Sequence, residues 1–414
     1  MINKKILFLL IISFLPECLF ATKTITKIHP SRSKVVLSKE IFYQKILPTL
    51  KNKKLMLVTN PSGIGVEPET ILSEFQKYSV EIVNLLGLEH GFLGLEEDFG
   101  QSPVTIDPLF KKPVYHAYRI NSQELATITS EVDVIVLDVQ DMGMRCYTYI
   151  TVLKRLIDAI RDKPTQLIVL DHLHPALHLK PRGEYIEKDL ENFAGEFPSP
   201  LFTGLTMGEA AIFYEKEFSE KRAKVQVISP EGISRNSYFE ELGISWSTPS
   251  PNLPTLESAR NYLALVLLEG INVSVGRGTQ APFVYFGAPW MENPNFFAEF
   301  LNEKLKEDVH FAPVFFKPVF GPYKGQICKG LRMNLINIHY DPIKTSYVLI
   351  EGLRKFYKTE FKWNKGNKYS VDSLWGNSHF RKSIESEIPY EKFAETIEKD
   401  EKDFYAKSKK YRLY

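Results

Sequence analysis

Four short aliphatic runs constrain this chain more than any other feature. They lie within Lys53–Pro61 (KKLMLVTNP), Val80–Gly91 (VEIVNLLGLEHG), Val132–Asp141 (VDVIVLDVQD) and Thr165–His172 (TQLIVLDH). Each is continuously apolar rather than alternating, the pattern of a strand covered on both faces. Segments of helical pattern fall between them, at Thr70–Lys77 and about Thr148–Asp162. Strands separated by helices pair in parallel as βαβ units. The expected fold class is therefore α/β, with a Rossmann-like, doubly wound parallel sheet over about residues 40–255. The first strand runs into TNPSGIG, which lacks the glycine fingerprint of dinucleotide binding, so the fold does not imply NAD.

The Pro-rich stretch TPSPNLPT (Thr248–Thr255) marks the end of that domain. Beyond it the pattern predicts a helix over about Leu256–Leu268, then the loop EGINVSVGRGTQAPF (Glu269–Phe283). A helix near Asn295–Lys306, strands at His310–Lys317 and Gly330–Ile336, and a helix at Pro342–Tyr357 follow. The order is not a regular βα alternation, so a smaller α+β domain is expected over residues 256–414. Its end, Tyr390–Tyr414, is charged and helical in pattern.

At the N-terminus, Lys4 and Lys5 precede the apolar run Ile6–Leu15, and Ala21 offers a small residue for cleavage. That layout predicts a secretory signal peptide over residues 1–21 and a periplasmic or secreted protein, with no transmembrane span once the signal is removed. Cys18 raises a lipoprotein alternative. Glu17 stands where a small residue would be expected, which disfavours it. Cys146 and Cys328 then remain and read as free buried thiols. The net charge of +2 gives no electrostatic footprint for nucleic acid. Aromatic residues make up 13%, which suits either core packing or a carbohydrate lying on ring faces.

Doubly wound sheets bind ligands beyond the carboxyl ends of their strands. Polar residues stand there in all four runs: Thr59–Asn60, Glu89–His90, Asp138–Gln140–Asp141 and Asp171–His172. They are expected to converge on one site. Glu89, shielded by Leu86, Leu88 and Phe92, is the candidate general acid; the plainer alternative is a salt-bridged surface carboxylate. Asp138, Gln140 and Arg145 read as polar groups of a pocket, Arg145 as a grip for a carboxylate. Asp141 also suits a turn or helix cap, and Cys146 and Tyr149 suit packing. The aspartates with His172 and His174 suggest a metal site, but no metal-ligand spacing such as H-E-x-x-H occurs, and no metal is expected. Arg277, between Gly276 and Gly278, is free to reach an anionic or polyhydroxylated ligand. Glu209 stands three residues after Thr206, the spacing of a capping box.

Six motifs, in order, carry a resemblance: EHGFLG, DVQDMGMRCYTY, GLTMGEAA, SPNLP, EGINVSVGRGTQAPF and GAPW. The chain resembles the exo-β-N-acetylmuramidase family, NamZ type, from about Lys54 to its C-terminus. The resemblance implies a Rossmann-like catalytic domain, a smaller C-terminal domain and a site in the cleft between them. It implies hydrolysis of terminal N-acetylmuramic acid from peptidoglycan-derived muropeptides or disaccharides, without a cofactor. Glu89 matches the family's proposed catalytic glutamate. The lactyl carboxylate of muramic acid would give Arg277 or Arg145 a partner.

Glycoside hydrolysis usually needs two carboxyls. Glu89 is the first, and Asp138, Asp141 and Asp171 are candidates for the second. The expected substrate-binding set is Asn60, His90, Gln140, Arg145, Asp171, His172, Asn252 and Arg277. The chain also departs from the family pattern. The usual D-R-P-N-P reads DHLHP, placing His172 and His174 where Arg and Asn are usual. A usual histidine is Thr203, and the acid of the S-E-G-R-G-T loop is Val275. Two other classes therefore stay open: a non-catalytic periplasmic muropeptide- or carbohydrate-binding protein, and a metal-dependent hydrolase.

Overall fold

The computed structural model describes residues 35–64, 68–94, 102–219, 222–242 and 244–414. The expected signal peptide, residues 1–21, with Cys18, lies outside them. The four aliphatic runs form strands β1 (Lys54–Thr59), β2 (Glu81–Gly87), β5 (Val134–Asp138) and β6 (Gln166–Leu170). Three further strands, β3 (Val104–Ile106), β4 (Pro113–His116) and β7 (Lys224–Ile228), extend the sheet to the order β3-β4-β2-β1-β5-β6-β7. All neighbours pair in parallel except β3 with β4.

Alternate residues of the central strands enter opposite cores, as the pleat requires. Met56, Val58, Ile135, Leu137, Leu167 and Val169 pack on the face covered by the Tyr149–Ala159 and Met207–Glu217 helices. Leu55, Leu57, Val134, Val136, Ile168 and Leu170 pack on the other, against Phe42, Leu47 and Phe75. Two-sided burial is the reason these runs carry no polar alternation.

The second sheet is antiparallel, with β8 (Tyr285–Ala288), β9 (Val309–Phe316) and β10 (Cys328–Leu335) in the order β8-β10-β9. Helices at Pro294–Leu305 and Pro342–Phe356 accompany it, close to the predicted spans. The first of the two cores continues into this part through Leu263, Phe286, Leu331 and Leu349. The chain's end also returns to the parallel sheet. The Tyr414 hydroxyl donates to Asp171 Oδ2 at 2.8 Å, and the Leu413 amide donates to Glu209 Oε1 at 2.8 Å. Cys146 and Cys328 are free and buried, and burial pushes the Cys146 thiol up to about 12. No helix among the described residues is long and apolar enough to cross a membrane.

Candidate active site

Glu89 lies two residues past the end of β2, part-buried between the buried Leu88 and His90. Its Oε2 accepts a hydrogen bond of 2.8 Å from the Thr148 hydroxyl. Thr148 occupies the N-cap position of the Tyr149–Ala159 helix, yet its side chain makes no capping bond. A threonine at that position normally caps its own helix, worth about 1 kcal/mol. Here the hydroxyl is turned to the glutamate instead. Tyr118 feels the same carboxylate: burial, followed by the Glu89 charge, raises its pKa.

Arg277 approaches the same place from the loop that leads into β8. Gly276 and Gly278 take φ values of +79° and +76°, which a side-chain-bearing residue adopts only with strain. The Arg277 Nε donates to Glu269 Oε1 at 2.7 Å, and its guanidinium lies over the Phe283 ring, 5.2 Å from the centroid. Burial presses the arginine's pKa down. The Glu269 carboxylate, helped by a smaller contribution from Glu89, outweighs that and holds it above its ordinary value. The side chains expected from the two halves of the chain therefore share one electrostatic neighbourhood. Tyr262 belongs to it too: burial raises its pKa well above the usual value, and Cys146, Glu269 and Glu89 add to the shift.

The other strand ends do not join this group. Asp171 is buried and turned onto the N-terminus of the Met207–Glu217 helix. Its carboxylate accepts from the Thr206 hydroxyl and the Gly208 amide, both at 2.7 Å, as well as from Tyr414. Burial still pushes its pKa up to about 6. These three bonds tie the end of β6 to the Met207–Glu217 helix and to the chain's last residue, although Asp171 was expected to bind substrate or act in catalysis. Asp141 is buried as well and folds back on its own turn, accepting from the Gly143 amide at 2.7 Å. Burial, only partly offset by that amide, pushes it up to about 7. Its role is the turn it was alternatively expected to form. Asp138 Oδ1 and His172 Nε2 are 2.6 Å apart, a part-buried pair two strands from Glu89.

Arg145, expected to grip a substrate carboxylate, is a buried crosslink. Its guanidinium donates to the carbonyls of Glu184 and Ser199 at 2.8 and 2.6 Å, and to those of Leu374 and Trp375. Burial lowers its pKa to about 10. Asn60 and Gln140 are likewise engaged by the fold. The Asn60 amide donates to the Tyr149 hydroxyl and the Pro249 carbonyl, and its oxygen accepts from Ser62. Gln140 donates to the Asp141 and Leu173 carbonyls. Both pin loops at the strand ends. Asn252, in the loop held through Pro249, is buried with its side-chain nitrogen unpartnered among the described residues.

Two of the departures meet at one glycine. Thr203 donates to the Gly143 carbonyl from its amide at 3.0 Å, and a Cβ on Gly143 would stand 2.4 Å from the His174 ring. Burial lowers the His174 pKa to about 3, so the ring is neutral. Val275 is buried in the main core. No group of three or more His, Cys, Asp or Glu suited to a metal occurs among the described residues.

Sequence reasoning missed Thr148, Tyr118 and Glu269. Glu269 stood at the head of the motif that contains Arg277, eight residues before it. A carboxylate so placed beside a glycine-flanked arginine was the available signal.

A family model described as exo-beta-N-acetylmuramidase NamZ, N-terminal, matches residues 55–257, and its C-terminal counterpart matches residues 260–414. The chain belongs to the NamZ family. It is 30% identical over 367 residues to the peptidoglycan beta-N-acetylmuramidase NamZ of Bacillus subtilis (strain 168), covering 88% of each chain. Two crystal structures of DUF1343 family proteins from Bacteroides fragilis NCTC 9343 share the fold. BF0371 superposes with a TM-score of 0.81 at 26% identity, and BF0379 with 0.70 at 25%. In both cases the match covers 92% of this chain and 99% of the other. In this NamZ-family chain, Arg277 is bonded to Glu269, and the Glu89 charge acts on it more weakly.

Proposed function

We propose that the chain is an exo-β-N-acetylmuramidase that releases terminal N-acetylmuramic acid from peptidoglycan fragments, with Glu89 as general acid and Arg277 as anchor for the lactyl carboxylate. The observation that carries the assignment of roles is that Glu89, from the end of β2, adds its charge to the surroundings of Arg277, from the loop before β8. One group can give a proton, and the other can hold an anion. In hydrolysis the Glu89 proton passes to the glycosidic oxygen as the C1–O bond breaks. Water supplies the hydroxyl at C1, and its remaining proton returns the acid to its starting form. Thr148 orients the carboxyl, which matters because proton transfer demands hydrogen-bond geometry.

The test is dye release from a chromogenic N-acetylmuramide. An acid that acts in the transition state contributes about 10²–10⁴-fold, so Glu89→Gln is expected to lower kcat by that order with KM little changed. Full turnover by the variant would move the acid elsewhere. Stoichiometric binding by the wild type without any turnover would replace the enzyme with a binding protein.

We also propose export through residues 1–21, on the strength of Lys4–Lys5, the apolar run that follows them, and a substrate class that lies outside the cytoplasm. Mass spectrometry of the protein from its host is expected to find a terminus near Thr22. An intact Met1, or a lipid on Cys18, would refute this.

A further inference from the structure

We propose that Glu269 is the positioning residue for Arg277: it fixes the guanidinium as a preformed fork for a carboxylate and so sets the preference for a sugar that carries one. The inference rests on the reading of Arg277 as lactyl anchor given above, and adds the residue that makes the anchor selective.

The 2.7 Å bond from Arg277 Nε to Glu269 takes one of the arginine's donors. The two terminal nitrogens make no hydrogen bond with another described residue, and together they present the edge that matches two carboxylate oxygens. The rest of the side chain is held as well. The Phe283 ring lies beneath the guanidinium. The loop backbone is fixed by the bond from the Val319 amide to the Gly278 carbonyl at 2.8 Å and by the Thr279 amide on Gly276 at 3.1 Å. The partner is fixed too: Asn364 donates to the carbonyls of Glu269 at 3.0 Å and Ile271 at 2.7 Å, pinning the backbone on either side of Gly270. A surface ion pair usually gains little, because two long side chains must be ordered to form it. Here both backbones are ordered by other bonds, and each side chain is only 28% exposed. The ordering of the arginine is thus complete before any ligand arrives, which is the condition for selective capture of an anion.

Between Glu269 and Arg277 the loop carries no other carboxylate. Position 275, two residues before the arginine, is a valine buried in the core. Glu269 supplies the charge from the end of the preceding helical segment, Val266–Gly270. The chemistry recognised is a carboxylate on a short substituent of the sugar ring, as in N-acetylmuramic acid and not in N-acetylglucosamine.

The experiment measures kcat and KM for the chromogenic N-acetylmuramide and the matching N-acetylglucosaminide, in wild type, Arg277→Ala, Glu269→Ala, Glu269→Gln and the Glu269→Ala/Arg277→Ala pair. Thermal melting checks that each variant is folded. Arg277→Ala is expected to weaken muramide binding ten- to a hundred-fold and to remove the preference. Glu269→Ala is expected to raise KM for the muramide by about five- to thirty-fold, with the preference falling toward that of Arg277→Ala. Glu269→Gln, which can still accept from Nε but carries no charge, is expected to fall between wild type and Glu269→Ala. In the pair, the loss is expected to match Arg277→Ala alone, because a positioning residue has nothing left to position. A hundred-fold loss of kcat at unchanged KM in Glu269→Ala would overturn the proposal and make Glu269 a carboxyl acting at the bond. Unchanged KM and preference would overturn it in favour of a plain ion pair. If Arg277→Ala itself keeps the preference, the lactyl reading of Arg277 is what has failed. Should Glu269→Ala not fold, Glu269→Gln decides by the same two readouts.

Discussion

Asp141 offers a sharp test of whether a carboxyl at a strand end belongs to the reaction or to the scaffold. Burial raises its pKa from 3.8 to about 7. The folded state therefore holds a proton on Asp141 over a range where the unfolded chain has released it. Between pH 4 and pH 7 the native state binds more protons than the unfolded state, so the contribution of this group to stability falls as pH rises through that window and levels off above it. Integrating the two titrations from pH 5 to pH 8 gives a loss of roughly 2–3 kcal/mol from this one side chain. Asn at this position has no charge to bury and keeps an oxygen for the Gly143 amide. Urea unfolding of wild type and Asp141→Asn at pH 5 and pH 8 is the assay. The wild type is expected to lose about 2–3 kcal/mol more than the variant over that interval, and the variant is expected to keep its turnover of the chromogenic muramide. Parallel pH dependence in the two proteins would refute the buried-acid argument. A large loss of kcat at unaltered stability would return Asp141 to the catalytic set.

Two further outcomes follow from the scaffold residues. Arg145→Met removes the donor that serves four carbonyls, at Glu184, Ser199, Leu374 and Trp375, and is expected to cost on the order of 4 kcal/mol in a denaturant titration while KM of the folded fraction stays put; a raised KM at unchanged stability would restore it as a substrate contact. Gly143→Ala places a Cβ 2.4 Å from the His174 ring at a backbone φ of +68°, and is expected to cost about 2–5 kcal/mol, read as a lowered unfolding midpoint; an unchanged midpoint would mean that His174 moves aside freely.

The sheet was legible because its central strands are buried on both faces. Such a strand has no polar face to interrupt the aliphatic run, and β1, β2, β5 and β6 all announce themselves that way. The edge strand β7 reads KVQVI and is only partly buried, so its pattern did not separate it from a loop. The residues β3 and β4 contribute are too few to make a pattern at all. Glu89 was legible because it follows a strand directly. Glu269 was not singled out, because its partnership with Arg277 depends on how a helix end and a glycine-bounded loop fold back on each other, which spacing does not encode.

What misled the reading of the site was the assumption that polar groups at strand ends serve one purpose. A strand that ends beneath a helix must also satisfy that helix's exposed amides, and Asp171 does so with the Gly208 amide and the Thr206 hydroxyl. Loops that cross the sheet edge need anchors, and Asn60, Gln140 and Arg145 supply them. These side chains look like ligand contacts in a sequence because the chemistry is the same: buried donors and acceptors matched to partners. The structure separates them by what is left over. Asn60 and Asp171 have their hydrogen-bonding groups engaged by the chain itself, and Gln140 has its amide nitrogen so engaged. Glu89 is held through a hydroxyl borrowed from a helix that forgoes its cap, and Arg277 is held by one nitrogen with two to spare. Unused bonding capacity on residues whose positions are nevertheless fixed is the mark of a site built for something outside the chain. Under the function proposed above, Glu89 and Arg277 are the two residues on which a ligand is expected to draw.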